Sequence, residues 1–133
     1  MPKIKKKKRK GRRFHRGDYT CNKTGMTYSF RSGWEQKMMQ YLDSSSEVES
    51  WTYEQIVIEY ISNIRTKKIR RYYPDFFVKY FDGHCELLEI KPKRKIEQLA
   101  VRKKAEAARA WCETRNITYK ILTEIDLKIL GLL

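Results

Sequence analysis

Residues 72–91 read YYPDFFVKYFDGHCELLEIK, and they carry the strongest fold signal in the sequence. The aromatic-rich run Tyr72–Phe81 predicts a strand. Asp82-Gly83 is a strong two-residue turn signal, because the tight turns that join antiparallel strands need residues that tolerate a positive φ. His84–Lys91 then returns as a second strand with an apolar middle. The stretch therefore predicts an antiparallel β-hairpin.

Two acidic residues lie at matching distances from this turn. Asp75 stands seven residues before its first residue and Glu89 six residues after its second, so pairing brings both carboxylates to about the same height. The strand period of two puts Lys91 on the same face as Glu89. Ile90 points to the opposite face, and its backbone carbonyl is a further candidate metal ligand.

These charges favour metal-assisted phosphodiester cleavage. Two carboxylates at adjacent strand positions can share Mg²⁺, which fills its other positions with water and phosphate oxygens. Lys91 would orient the attacking water or offset developing negative charge. The alternative is a solvated strand end with a surface salt bridge. Against it, Glu89 and Lys91 lie in an otherwise apolar strand, where unpaired charge is costly.

The flanking sequence supplies the remaining elements of an α/β domain. Apolar periodicity predicts the helices, and Ser32 with Glu35 forms a capping-box pattern before the first of them. A strand after the long helix can pair parallel through a crossover, which predicts a mixed four-stranded sheet flanked by helices. The expected flanking elements are helix Gly33–Leu42, strand Trp51–Ile61, a basic connection Asn63–Arg71, helix Glu97–Arg115, strand Ile117–Leu122, and a helix from Thr123 or Glu124 through Leu130.

The positive charge is concentrated at one end of the chain. The 133 residues carry a net charge of +14, and residues 1–16 hold ten Lys/Arg and no acid. We expect residues 1–27 to be a basic disordered tail and loop, and residues 28–133 to be the folded domain. Such a tail suits phosphate contact, with a solubility tail or a localisation signal as the alternatives. The expected DNA-binding residues there are Lys5, Lys6, Lys7, Lys8, Arg9, Lys10, Arg12 and Arg13.

Further basic residues flank the predicted hairpin. Arg70 and Arg71 precede its first strand, and Lys93, Arg94 and Lys95 follow its second, so both sets can reach phosphates beside a cut. The basic residues of the long helix are expected to form a solvated face, and the Tyr72–Tyr73 pair to lie in the core. No recognition-helix or zinc-finger pattern is present, so we expect binding to the DNA backbone with little base readout.

The composition excludes several classes of protein. The three cysteines lack zinc-site spacing and suggest reduced thiols in the cytoplasm. No apolar run is long enough to span a membrane, and no secretory signal is visible.

The motif Pro74-Asp75 … Glu89-Ile90-Lys91 resembles that of the PD-(D/E)xK nuclease superfamily, which has a restriction-endonuclease-like core. The similarity extends from Tyr28 to about Glu124. It is strongest to the head-completion nucleases of T-even-type phages, and the chain is also similar to the endonuclease subunit of certain cut-and-paste transposons. The segments that carry it are Tyr28–Glu35, Tyr72–Phe76, Glu89–Pro92 and the Ala105–Cys112 helix.

The resemblance implies roles for individual residues. Asp75 and Glu89 would ligate Mg²⁺ or Mn²⁺, Lys91 would serve the attacking water, and Glu35 would complete the site directly or through a water. For Glu35 alone, helix capping remains the competing explanation.

The resemblance also implies a setting. The leading hypothesis is a phage endonuclease that processes DNA during head completion, located in the host cytoplasm or associated with the virion. Its expected partners are DNA, the capsid or portal, and a second copy of the chain. The alternatives are a transposase or repair subunit that cuts only with partners, and a non-catalytic basic DNA-binding assembly protein.

Overall fold

The computed structural model describes residues 16–133, which form eight strands and three α-helices. The predicted phosphate-binding residues from Lys5 to Arg13 lie outside this range. The strands are β1 Gly17–Thr20, β2 Thr27–Phe30, β3 Val48–Tyr53, β4 Ile58–Asn63, β5 Lys68–Tyr72, β6 Phe76–Tyr80, β7 Cys85–Ile90 and β8 Thr118–Leu122. The helices are α1 Gly33–Ser44, α2 Leu99–Glu113 and α3 Glu124–Ile129, with a 3-10 turn at Lys93–Lys95.

The central sheet has the strand order β3-β6-β7-β8. β6 pairs antiparallel with both β3 and β7, whereas β8 pairs parallel with β7 after the α2 crossover. This confirms the predicted mixed four-stranded sheet. The strands of this sheet and the three helices follow the predicted order helix-strand-strand-strand-helix-strand-helix, and the β1–β2 and β4–β5 hairpins are additional to it. No helix among residues 16–133 is long and apolar enough to cross a lipid bilayer.

Strand alternation divides the core between the two faces of this sheet. Leu88 packs with Trp51 and Phe76 in one cluster, whereas its neighbour Leu87 packs in another. The first cluster includes side chains of α1, α3 and the β1–β2 hairpin, and the second includes side chains of α2, β4 and β5. The sheet is therefore covered on both faces, and functional groups collect at its ends.

The prediction of one strand over Trp51–Ile61 is wrong. β3 ends at Tyr53 and β4 begins at Ile58, and between them Glu54 adopts a φ of 54°. A left-handed residue cannot continue an extended strand. The chain therefore leaves the central sheet at Glu54.

The predicted connection Asn63–Arg71 is also wrong for its second half. Residues Lys68–Tyr72 form β5, which pairs antiparallel with β4 in a separate two-stranded sheet. Tyr72 ends β5 rather than opening the next strand. Pro74 has no N–H to donate to a ladder, so β6 begins only at Phe76.

The β1–β2 hairpin lies where the sequence predicted a loop, so ordered structure begins before residue 28. Its anchor is Asp43 near the end of α1. The carboxylate of Asp43 accepts hydrogen bonds from the Tyr19 hydroxyl at 2.9 Å, the Asn22 N–H at 2.8 Å and the Trp51 indole N–H at 2.8 Å. These tertiary bonds fix a segment whose own sequence reads as a loop.

Candidate active site

The end of the sheet where β6 begins and β7 ends carries two buried carboxylates. Phe76 pairs with Leu88, which places Asp75 beside Glu89, as the distances from the turn predicted. Asp75 and Glu89 are only 7% and 8% exposed. The backbone N–H of Ile90 donates a 2.7 Å hydrogen bond to Asp75 Oδ2, which fixes that carboxylate at the end of β7.

Two more acids converge on Asp75 from other elements. One carboxylate oxygen from each of Glu35, Glu54 and Asp75 lies within 4.8 Å of the other two. Glu35 comes from the first turn of α1. Glu54 comes from the left-handed residue after β3, and its N–H donates to the Asp75 carbonyl at 2.9 Å.

Glu54 was not among the residues predicted from sequence. A signal was available, because the last two buried residues of β3, Trp51 and Tyr53, lie at odd positions. In the following segment Ile56 and Ile58 lie at even positions. A change of phase within an alternating pattern marks a break or bulge, and the break occurs at Glu54.

Half of the predicted capping box forms. Ser32 Oγ accepts from the Glu35 N–H at 3.1 Å, as expected for an N-cap. The Glu35 carboxylate instead accepts from the Arg31 N–H at 2.7 Å and the Tyr53 hydroxyl at 2.9 Å through the same oxygen, Oε1. Glu35 is thus tied both to the helix start and to the acidic group.

Basic side chains partly balance this charge. Arg31 forms an ion pair with Glu54. Lys91 Nζ lies 3.6 Å from Glu89 Oε2, so the two side chains share a face as the strand period predicted. Lys104 of α2 also lines the site, although sequence reasoning had placed it on a solvated face.

Tyr72 holds the other oxygen of Glu89. Its hydroxyl donates to Glu89 Oε1 at 2.7 Å and lies 2.9 Å from the Tyr119 hydroxyl. The ring of Tyr72 is buried, as predicted, whereas the prediction that Tyr73 also lies in the core is wrong, because Tyr73 is 44% exposed. Sequence reasoning missed that the polar end of Tyr72 faces the site.

The electrostatics favour a bound cation. Burial, and then the negative charge of Glu89, raises the pKa of Asp75 well above its usual value. Burial also raises the pKa of Glu89, although the Tyr72 hydrogen bond and the charges of Lys91 and Lys104 oppose the shift. Hard carboxylate oxygens are the ligands that Mg²⁺ and Mn²⁺ prefer. The donor set therefore suits such an ion.

These groups surround an open cavity of about 400 Å³. Of the basic residues that sequence reasoning assigned to DNA in residues 16–133, Arg71 lines it, whereas Arg70, Lys93, Arg94 and Lys95 do not. The lining residues are Arg31, Glu35, Glu54, Arg71, Tyr72, Tyr73, Asp75, Glu89, Ile90, Lys91 and Lys104.

Sequence comparisons, taken together with the fold, define the class of protein. Residues 45–124 match the family model described as TnsA-like endonuclease N terminal. The chain is also 33% identical over 125 residues to the head completion nuclease of Enterobacteria phage T4, covering 77% of this chain and 83% of that protein. It is a DNA endonuclease with a restriction-endonuclease-like fold. The chain belongs to the TnsA-like endonuclease family.

Proposed function

We propose that the chain is a PD-(D/E)xK-type endonuclease that binds Mg²⁺ or Mn²⁺ through Asp75, Glu89 and Glu35, with the Ile90 carbonyl as a further ligand. The observation that carries this proposal is the convergence of acids on a buried aspartate. Asp75 has its pKa raised by burial and by Glu89, and two other carboxylates approach it. Such a group is stabilised by a divalent ion.

Glu54 joins the predicted set in this proposal. Its carboxylate lies in the same group of oxygens as those of Glu35 and Asp75. Its ion pair with Arg31 keeps a cation beside the acids. Glu54 would therefore ligate the ion directly or accept from a water in its coordination shell.

The remaining side chains would act on water and phosphate. When bound, the metal stabilises negative charge on the phosphate and promotes ionisation of water. Lys91, beside Glu89, would orient the attacking water and donate to the developing charge. Arg71 and Lys104 at the cavity wall would hold neighbouring phosphates.

Plasmid nicking tests this proposal. Wild-type protein should nick supercoiled DNA only with Mg²⁺ or Mn²⁺, whereas Asp75→Ala and Glu89→Gln should bind DNA and fail to cut. Glu106→Gln, at an exposed acid of α2, is the matched control and should cut normally. If wild type and Asp75→Ala bind equally and neither cuts, the non-catalytic alternative replaces the enzyme. Unchanged cleavage by Glu89→Gln would remove Glu89 from the site.

The proposed setting is the processing of DNA during phage head completion, which is supported by the similarity to the T4 nuclease. In this setting the chain would act in the host cytoplasm or on the virion, with a capsid or portal protein or a second copy as partner. The basic tail, residues 1–16, would hold DNA by its phosphates.

A second candidate is an endonuclease subunit that cuts only within a larger complex. The match of residues 45–124 to the TnsA-like model favours it. The nicking assay separates the two, because the purified chain would then cut nothing alone and would gain activity when its partners are added.

A further inference from the structure

The two-stranded sheet of β4 and β5, residues Ile58–Tyr72, is held to the domain at its base. There Ile58 and Tyr72 face each other across the ladder and are buried against Ala108 and Cys112 of α2. Lys103 Nζ adds a 2.7 Å hydrogen bond to the Ser62 carbonyl. We call this hairpin the β4–β5 arm.

The outward face of the β4–β5 arm is aliphatic and exposed. Ile61 pairs directly with Ile69, and they are 52% and 60% exposed, with Ile64 near the turn 78% exposed. Isolated exposed apolar residues are ordinary on protein surfaces. Here two isoleucines are cross-strand partners and a third lies beyond them, which marks a contact surface.

The charge of the β4–β5 arm points to a polyanionic occupant. Its fifteen residues contain five Lys/Arg and one acid, Glu59. A second copy of the arm would bring like charges together, which disfavours self-association. Basic residues on an edge strand also discourage aggregation, but that role does not account for exposed isoleucines beside them.

The arm is continuous with the catalytic cavity. Arg71 lines the cavity and lies opposite Glu59 in the β4–β5 strand register. By strand alternation Arg71 lies on the same face as Ile69. From Arg71 to Lys68 the strand rises about 10 Å, close to three base steps of a DNA strand. DNA whose scissile phosphate occupies the cavity would therefore meet this face next.

We propose that the β4–β5 arm lies in a groove of duplex DNA on one side of the scissile bond. Arg65, Lys67 and Lys68 contact phosphates, and the Ile61–Ile69 pair contacts sugars and base edges. A two-stranded ribbon fits the major groove of B-DNA, where apolar side chains contact the methyl group of thymine. The inference rests on the proposed endonuclease function and makes double-stranded DNA its substrate.

Two arm variants separate the charged and aliphatic contributions. One is Arg65→Gln with Lys67→Gln and Lys68→Gln, and the other is Ile61→Thr with Ile69→Thr, which keeps β-branching. Ile129→Thr, at a 78% exposed residue of α3, is the matched control. Binding of a 30-base-pair duplex and of a single strand of equal length is measured by fluorescence anisotropy in Ca²⁺, over a range of salt concentrations.

We expect the charge variant to bind duplex at least about tenfold more weakly. The slope of log affinity against log salt should also become smaller by about three, near one for each lost phosphate contact. The isoleucine variant should lose about five- to tenfold in duplex affinity with an unchanged salt slope, as expected for lost groove contacts. The control should match wild type in both.

The outcomes separate the arm from the nuclease. If the wild-type protein cuts DNA but both arm variants bind duplex as tightly as wild type does, the DNA-binding role of the arm is wrong and the endonuclease function stands. If the arm variants bind duplex more weakly but the wild-type protein does not cut, the DNA-binding role of the arm is supported and the endonuclease function is wrong. Equal losses on single strands would overturn groove binding. If the isoleucine variant instead turns a dimer into a monomer in sedimentation, the face joins two copies of the chain and the proposal is wrong.

Discussion

The hydroxyl of Tyr72 donates a 2.7 Å hydrogen bond to Glu89 Oε1, while Glu89 Oε2 lies 3.6 Å from Lys91 Nζ. Burial, and then the charge of Glu89, raises the pKa of Tyr72, so this hydroxyl stays protonated and remains a donor at neutral pH. Tyr72 is therefore a positioning residue, because it fixes one oxygen of Glu89 and leaves the other toward the cavity.

Replacing Tyr72 with Phe should lower Mg²⁺ affinity or cleavage rate about 10- to 100-fold, as is usual when a supporting hydrogen bond to a metal ligand is lost. A Mg²⁺ titration of cleavage separates the two effects, since a purely structural role would leave the midpoint unchanged. Tyr41→Phe, at a half-buried tyrosine of α1, is the control and should leave the midpoint where it is.

Glu54→Gln tests the acid that sequence reasoning missed. Loss of its charge should weaken metal-dependent cleavage about 10- to 100-fold while leaving the fold intact, because the left-handed backbone is retained. Calorimetric Mg²⁺ binding should weaken in parallel. The exposed Glu49 of β3 provides a matched Glu49→Gln control, and equal cleavage by the two variants would exclude Glu54 from the site.

Asp75→Asn should stabilise the metal-free protein at neutral pH by about 1 kcal/mol or more, because a neutral amide avoids the cost of a buried carboxylate charge beside Glu89. The folded-state pKa of Asp75 lies above its unfolded value. The stability this group contributes is therefore present at low pH and is lost as pH rises through the folded pKa. Thermal unfolding in EDTA should show a higher Tm for the variant at pH 7 and a smaller gain at pH 4. A lower Tm at pH 7 would contradict the prediction.

Asp43→Ala should destabilise the domain by about 2–4 kcal/mol, because it leaves the indole N–H of buried Trp51 without its acceptor and frees the β1–β2 hairpin. Urea denaturation gives the change directly. Asp18→Ala, at an exposed aspartate of β1, should cost much less. Comparable losses in both variants would show that Asp43 does not anchor the hairpin.

Deleting residues 2–13 should weaken DNA binding and flatten its dependence on salt, because the removed segment carries nine of the Lys/Arg. Anisotropy with a duplex over a salt series measures both. An unchanged slope would mean that the tail does not contact phosphate.

Much of the central sheet follows from local sequence. The three-residue loop Phe81–Gly83 sets the register of β6 and β7, and that register brings Asp75 beside Glu89. The predicted two-residue turn at Asp82-Gly83 would have paired Asp75 with Ile90, so it places the two acids close together but is one residue off. Strand alternation likewise places Lys91 with Glu89. These relationships depend on short-range geometry, which a pattern of residues encodes.

The remaining features depend on contacts between distant segments. The strand β1 is held by Asp43 from α1, more than twenty residues away, and its own sequence carries only loop signals. In the sequence Lys104 is one of several charged residues of α2, and only the packing of α2 against the sheet places it at the cavity. The only local signal for Glu54 is the change of phase in the apolar alternation between Tyr53 and Ile56.

The acids of the candidate site are contributed by four separate stretches of chain, from Glu35 to Glu89. β7, which carries Glu89, has β8 as its second neighbour in the sheet, and the Leu122 carbonyl of β8 accepts a hydrogen bond from the Lys91 N–H at 3.0 Å. A chain truncated before β8 is therefore expected to lack an assembled centre. Any hydrolytic hazard to DNA in the producing cell would then begin only after β8 has been translated.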